Sequence, residues 1–147
     1  MQAFRYFHPI TVRYADLDPQ GHVNNAVYLS YLEQARAGYL CELDLWDGKS
    51  FLDIGIILAE TRITYRAPIL LGQRVRVGVR VTRLGNKSLD MHYVIEDEDS
   101  GRTLAQASTI LVTYDYRRNL TITVPDSWRK VIQSFEELEN LGQGSTT

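Results

Sequence analysis

Between Arg13 and Asn25 the chain reads Arg-Tyr-Ala-Asp-Leu-Asp-Pro-Gln-Gly-His-Val-Asn-Asn, which gathers two carboxylates, Asp16 and Asp18, one histidine, His22, and a pair of amides, Asn24 and Asn25. Carboxylate and imidazole are the side chains that move protons near neutral pH. Pro19, Gln20 and Gly21 make a turn, and asparagine is a preferred helix N-cap, so a helix is predicted to start near Asn24 or Asn25. The free N–H groups of that helix face back toward the turn from Asp18 to His22. Such an N-terminus carries roughly half a positive charge and suits a carbonyl oxygen or an anion.

The elements that position this stretch can be read outward from it. At about 100° per residue, Val27, Tyr28, Tyr31, Leu32, Ala35, Tyr39 and Leu43 fall in one arc of roughly 160°, a buried face. Ser30, Glu33, Gln34, Arg36, Ala37 and Cys41 fall on the opposite, wet side, where Glu33 and Arg36 are spaced as an i,i+3 ion pair. Gly38, at the edge of the apolar arc, permits close approach of a neighbouring backbone. The helix is expected to lie against a sheet.

Strands are expected at Phe7 to Tyr14, Ile54 to Tyr65 with a bend at Gly55, Arg74 to Leu84, Ser88 to Glu96 and Arg102 to Asp115. The third is the clearest, since Val75, Val77, Val79 and Val81 share one parity while Arg74, Arg76, Arg80 and Thr82 take the other. Gly85-Asn86-Lys87 and Asp97 to Gly101 read as turns. A C-terminal helix is expected from Pro125-Asp126-Ser127 to about Asn140, followed by a mobile tail over 141–147. This order predicts a single α+β domain over 1–147, ordered over about 7–140: an antiparallel sheet of about five strands wrapped on one long central helix.

Composition sets the outer bounds. The 147 residues are 44% hydrophobic and 10% aromatic, which is enough for one core, and a net charge of −2 gives no global reason to expect nucleic acid or an anionic membrane. No apolar run reaches spanning length. The single cysteine, Cys41, excludes an internal disulfide and reads as a packed or surface thiol, so a cytoplasmic location is expected. His8, His22 and His92 are scattered with no zinc-ligand spacing, and there is neither a Gly-x-Ser-x-Gly elbow nor a nucleotide-binding glycine pattern. No metal and no cofactor are expected.

The run from Arg13 to Tyr28, Asp-Leu-Asp-Pro-Gln-Gly-His-Val-Asn-Asn-Ala at its centre, resembles the signature of hotdog-fold thioesterases of the 4-hydroxybenzoyl-CoA thioesterase type. Its His-Val-Asn-Asn-Ala part is most similar to the branch that cleaves fatty acyl-CoA and fatty acyl carrier-protein thioesters, and element order extends the resemblance over about 7–140. The resemblance implies that Asp18 acts as general base or nucleophile on a thioester, with backbone N–H groups at Asn25 and its neighbours receiving the oxyanion. The plain alternative is that Asp18 caps the turn. Asp16 reads as a turn or ion-pair residue. His22 matches the spacing of an active-site histidine in plant-type acyl carrier-protein thioesterases, although those place an asparagine where this chain has Gln20; it either orients the thioester or water, or only bonds the loop. Asn24 is a cap that, with Tyr28, borders the substrate. Glu60 is a solvated strand residue by default.

From Arg62 to Lys87 there are seven basic residues and no acidic one, partly balanced by Glu96-Asp97-Glu98-Asp99. Most of this reads as the wet face of a sheet; the sharper reading gives Arg83 and Lys87 the phosphates of coenzyme A, or an acidic carrier protein. The expected activity is hydrolysis of an acyl-CoA, or an acyl carrier-protein thioester, to the free acid, coenzyme A entering only as part of the substrate. A hotdog hydratase or dehydratase and a non-catalytic acyl-CoA-binding protein are the alternatives. The resemblance also implies a homodimer, often paired into a homotetramer, with Asp18 facing strand residues of the partner.

Overall fold

Residues whose apolar side chains alternate are the ones that form the sheet. The computed structural model describes residues 3–138, so residues 139–140 of the predicted C-terminal helix and the 141–147 tail lie outside the described residues; within them that helix already ends at Glu136, where Glu137 turns left-handed at φ +54°. In chain order the elements are β1 (Tyr6–Ile10), α1 (Val27–Glu42), β2 (Ile56–Tyr65), β3 (Val75–Leu84), β4 (Ser88–Asp97), β5 (Thr103–Asp115), β6 (Leu120–Thr121) and α2 (Asp126–Glu136), with short 3-10 turns at Tyr14–Asp16 and Phe51–Asp53. The strands hydrogen-bond in the order β1-β3-β4-β5-β2, and β6 pairs with β5. The pairing of β2 with β5 is antiparallel, since Arg66 donates to Leu104 at one end and Tyr114 donates to Gly55 at the other. The predicted parity holds: Val75, Val77, Val79 and Val81 on β3 and Leu89, Met91, Tyr93 and Ile95 on β4 are all buried.

Contacts group the chain into two units, one built from the chain up to Tyr39 with Ile63–Val79 and Tyr93–Ala107, the other from Leu40–Arg62, Arg80–His92 and the chain from Ser108 on. In the first, β1 runs antiparallel to β3 from Tyr6 opposite Val79 to Ile10 opposite Val75. Pro9, which has no N–H to give a ladder, sits in β1 at the end of the sheet order, where it is tolerated. Tyr6 meets Tyr39 edge-on at 6.0 Å, and a Cβ at Gly38 would collide with the Tyr6 hydroxyl and with His8 Nδ1. The expected close approach at Gly38 is therefore made by side chains of β1. Two residues of the basic stretch pair with the acidic run that follows it: Arg76 lies 2.6 Å from Glu96, and Arg74 lies 3.2 Å from both Glu98 and Asp99.

Three expectations need correction in this unit. The first strand ends at Ile10, short of Tyr14, because the Asp16 carboxylate accepts the Arg13 N–H at 2.9 Å and draws the chain into a turn that leaves Tyr14 84% exposed. Arg36 does not pair with Glu33 on a wet face: it stands one helical turn after the buried Leu32, is itself buried, and donates to the Tyr93 hydroxyl at 3.1 Å. The helix begins at Val27, slightly after the asparagines, because Asn25 and Ala26 first make a turn.

In the second unit the β3–β4 hairpin closes with Gly85 N–H donating to Ser88 at 2.7 Å. The α2 carboxylate Glu136 accepts the Val81 N–H at 2.9 Å, in the part of β3 that lies past the end of its pairing with β1. A strand edge is thereby satisfied by a helix side chain. At the other end of the sheet order, the part of β2 in this unit has no such cover among the described residues: Ile57 and Leu58 are 40% and 48% exposed, and Glu60 is exposed with them. The strand starts at Ile56, after Gly55 at φ +79°, and not at Ile54.

Candidate active site

The loop from Asp16 to Asn24 is a miniature hairpin. Leu17 bridges Val23, Asp18 N–H donates to the His22 carbonyl at 2.8 Å, and Gly21 N–H donates back to the Asp18 carbonyl at 2.9 Å. Gly21 takes φ +80°, which a residue with a side chain adopts only at a cost. The hairpin is braced from outside, since Val23 N–H donates to Ile69 at 2.9 Å and His22 bridges Leu70.

At the root of the loop Asp16 is 2% exposed and fully bonded. Its Oδ2 accepts from Arg13 N–H at 2.9 Å and the Tyr31 hydroxyl at 2.8 Å, and its Oδ1 from the Arg13 Nη2 at 3.0 Å. Burial pushes the carboxyl upward, but the Arg13 N–H, the Tyr31 hydroxyl and the Arg13 guanidinium outweigh it and hold it below the usual carboxylate range. The same geometry, after burial, drives the Tyr31 phenol upward. Asp16 is thus the ion-pair residue the sequence suggests, although a buried one.

Asp18 is half-buried, and its two oxygens differ. Oδ1 accepts from Gln20 N–H at 3.0 Å and His22 N–H at 3.2 Å, which caps the turn and fixes the carboxylate plane. Oδ2 has no hydrogen-bond partner among the described residues. The turn-capping and the reactive readings of Asp18 therefore fall on different oxygens of one group.

The remaining candidates divide as follows. Asn24 caps, its Oδ1 accepting from Ala26 N–H and its carbonyl from Val27 N–H, both at 2.9 Å. Asn25 is exposed; its carbonyl accepts the Tyr65 hydroxyl at 2.9 Å, while its N–H has no partner among the described residues. His22 braces the loop through its main chain, and its exposed imidazole carries no hydrogen bond among the described residues. Tyr28 is buried, with its hydroxyl near the Ala67 carbonyl and its ring edge-on to Tyr65 at 4.9 Å. Burial raises the Tyr28 phenol, and the Asp18 carboxylate adds to the rise. Tyr65, Ile69 and Leu70 were not flagged by sequence, because their bonds to the loop join residues distant along the chain. Arg83 and Lys87 belong to the β3–β4 hairpin of the second unit. Arg83 is 3.0 Å from Asp90 and bonds Ser88, whereas the exposed Lys87 side chain makes no ion pair among the described residues. No group of three or more His, Cys, Asp or Glu among the described residues could hold a metal ion.

A buried anchor, a turn-locked carboxylate and an unpartnered N–H at the start of a helix suit addition of water to a polarised carbonyl. The sequence model of the thioesterase-like superfamily matches residues 12–132. The chain belongs to that superfamily. Its antiparallel sheet with two helices is the hotdog-type thioesterase fold, and the enzyme is a thioester hydrolase. This thioesterase is 29% identical over 126 residues to the long-chain acyl-CoA thioesterase FadM of Escherichia coli, covering 86% of the chain and 96% of FadM. It is 27% identical over 124 residues to the 1,4-dihydroxy-2-naphthoyl-CoA hydrolase of Thermosynechococcus vestitus, covering 82% and 85%. Among solved structures, a thioesterase of Thermus thermophilus complexed with coenzyme A and zinc superposes with a TM-score of 0.81 at 35% identity, covering 93% of this chain and 98% of that one. No helix of the described residues is long and apolar enough to cross a membrane.

Proposed function

We propose that this thioesterase hydrolyses a fatty acyl-CoA to the free acid and coenzyme A, with Asp18 as the reacting carboxylate. The observation that carries the reading is the asymmetry of Asp18, one oxygen bound to the turn and the other without a partner among the described residues, on the loop that leads into α1, where the Asn25 N–H is also unpartnered among those residues. Asp18 Oδ2 takes a proton from water as the water oxygen adds to the thioester carbon; the negative charge moves to the carbonyl oxygen, toward the Asn25 N–H and the start of α1. The C–S bond then breaks, and the thiolate recovers the proton from Asp18. Direct attack by Asp18 would instead break the C–S bond, release the thiolate and give an acyl-carboxylate anhydride; water hydrolyses it to the free acid and the Asp18 carboxylate, and its second proton goes to the thiolate. In either course the imidazole of His22 is available to orient water or thioester, Asn24 holds the helix start, and Tyr28 with Tyr65 backs the site.

Coenzyme A as the donor, in preference to a carrier protein, is supported by the named activity of FadM and by the coenzyme A in the Thermus structure. We assign its phosphates to Lys87 and Arg83, of which Lys87 is the less committed. The exposed Ile57 and Leu58 of β2, at the end of the sheet order, support a homodimer that pairs further into a tetramer. The single, exposed Cys41 fits the cytoplasm. The test is a panel of aromatic, short, medium and long acyl-CoAs followed by thiol release. Turnover is expected on the fatty members, and absence of turnover on every member overturns the reading.

A further inference from the structure

Asp16 does more than pair with Arg13. Its carboxylate bonds Tyr31, in the second turn of α1, while its own carbonyl accepts the Asn24 N–H at 2.8 Å. The two ends of the loop and the helix therefore meet on this one residue. Asp18 hangs from one side of the junction, two residues after Asp16. Asn25 hangs from the other, immediately after Asn24.

Packing does not demand the Tyr31 hydroxyl. Tyr31 is 2% exposed among apolar neighbours on the face of α1 shared with Tyr28, Leu32 and Ala35, and a phenylalanine would fill that place. Burying an ionised carboxylate against the same helix is costly unless it is fully bonded, and a neutral residue at position 16 would avoid that cost. What the charged, bonded arrangement adds is a directional tie: a short, charge-assisted bond at 2.8 Å holding loop to helix. We propose that Tyr31 and Asp16 are positioning residues, fixing the Asp18 carboxylate relative to the N–H groups at the start of α1. The inference rests on the reading of Asp18 given above. Neither residue meets the reacting atoms.

The test is Tyr31→Phe, made alone and in the Asp18→Asn background, with acyl-CoA turnover read at a temperature where circular dichroism shows each variant folded. A misplacement of about 1 Å costs roughly 100-fold in rate, so kcat of Tyr31→Phe is expected to fall by about ten- to a hundredfold with little change in KM. In the Asp18→Asn background the same change should cost almost nothing more, because the group it positions is gone. Ile132→Val, a core change in α2, should leave kcat where it was. Full kcat in Tyr31→Phe beside an active wild type overturns the inference alone, as does an equal loss in both backgrounds, or a Tyr31→Phe chain that no longer folds. A wild type without turnover on any acyl-CoA removes the Asp18 reading and this inference with it.

Discussion

Two aspartates two residues apart have opposite environments, and the difference decides what each can do. Asp16 is buried with every oxygen engaged, so it is held ionised and out of reach; Asp18 keeps one oxygen unpartnered among the described residues. The pH dependence of stability follows from the first. The folded-state value of Asp16 lies below its ordinary 3.8, so its contribution is complete above about that pH and is lost as pH falls through the folded value. Half-buried His8 is lowered from 6.5 by burial, so its contribution is likewise present above 6.5 and lost on acidification. Melting temperature should be level between neutral pH and the ordinary tyrosine value near 10 and decline on the acid side, and Asp16→Asn should weaken the decline below about pH 4; a protein that gains stability on acidification contradicts both assignments. At the β3–β4 hairpin, Lys87→Ala should raise KM for acyl-CoA and spare an acyl-pantetheine thioester that lacks the nucleotide, with kcat little changed. Arg83→Ala is the less clean variant, because it also breaks the pair with Asp90. Equal effects on the two substrates would return Lys87 to the wet face of the sheet. The capping by Asn24 and the exposed turn at Asp18 were legible in the sequence because they are local, set within a few residues. The Tyr31–Asp16, Arg36–Tyr93 and Tyr65–Asn25 bonds were not, because partners distant along the chain leave no periodic trace.

Among elements, periodicity found what it could. The apolar arc of α1 and the valine parity of β3 are both seen, since one face of each is buried and the period of each is fixed by backbone geometry. Boundaries failed where a side chain redirects the backbone: Asp16 ends β1 early through its bond to Arg13, and Gly55 at positive φ delays β2. The pair Leu120–Thr121 was too short to carry an alternation, and β6 went unseen. Gly38 gives the element-scale test. Alanine would gain about 1 kcal/mol of helix propensity in isolation. Here its methyl meets the Tyr6 hydroxyl and His8 Nδ1, which are bonded to each other at 2.8 Å, with Tyr6 set edge-on against Tyr39. Overpacking of this kind costs about 1–3 kcal/mol, so Gly38→Ala should lower the melting temperature; an unchanged or higher value would show that β1 yields freely.

For the whole molecule, the sequence carried the superfamily through a short motif and the order of elements, while the uncovered edge appears only once strands are placed. Glu136 satisfies part of the β3 edge, but β2 ends the sheet order with Ile57 and Leu58 toward solvent, which a single copy would be expected to cover or charge. Light scattering at micromolar concentration should therefore give at least a dimer, and Leu58→Lys should shift it toward monomer; a monomeric wild type would contradict the assembly. One carboxylate in an otherwise intact enzyme carries the proposed chemistry, and the direct measurement is acyl-CoA turnover by Asp18→Asn. Asparagine Oδ1 can still accept the Gln20 and His22 N–H groups, so fold, oligomer and acyl-CoA affinity should be retained. A kcat lower by about 10²- to 10⁴-fold is expected, the usual effect of losing a general base and a lower bound for a lost nucleophile. Wild-type turnover by Asp18→Asn with its fold intact would contradict it.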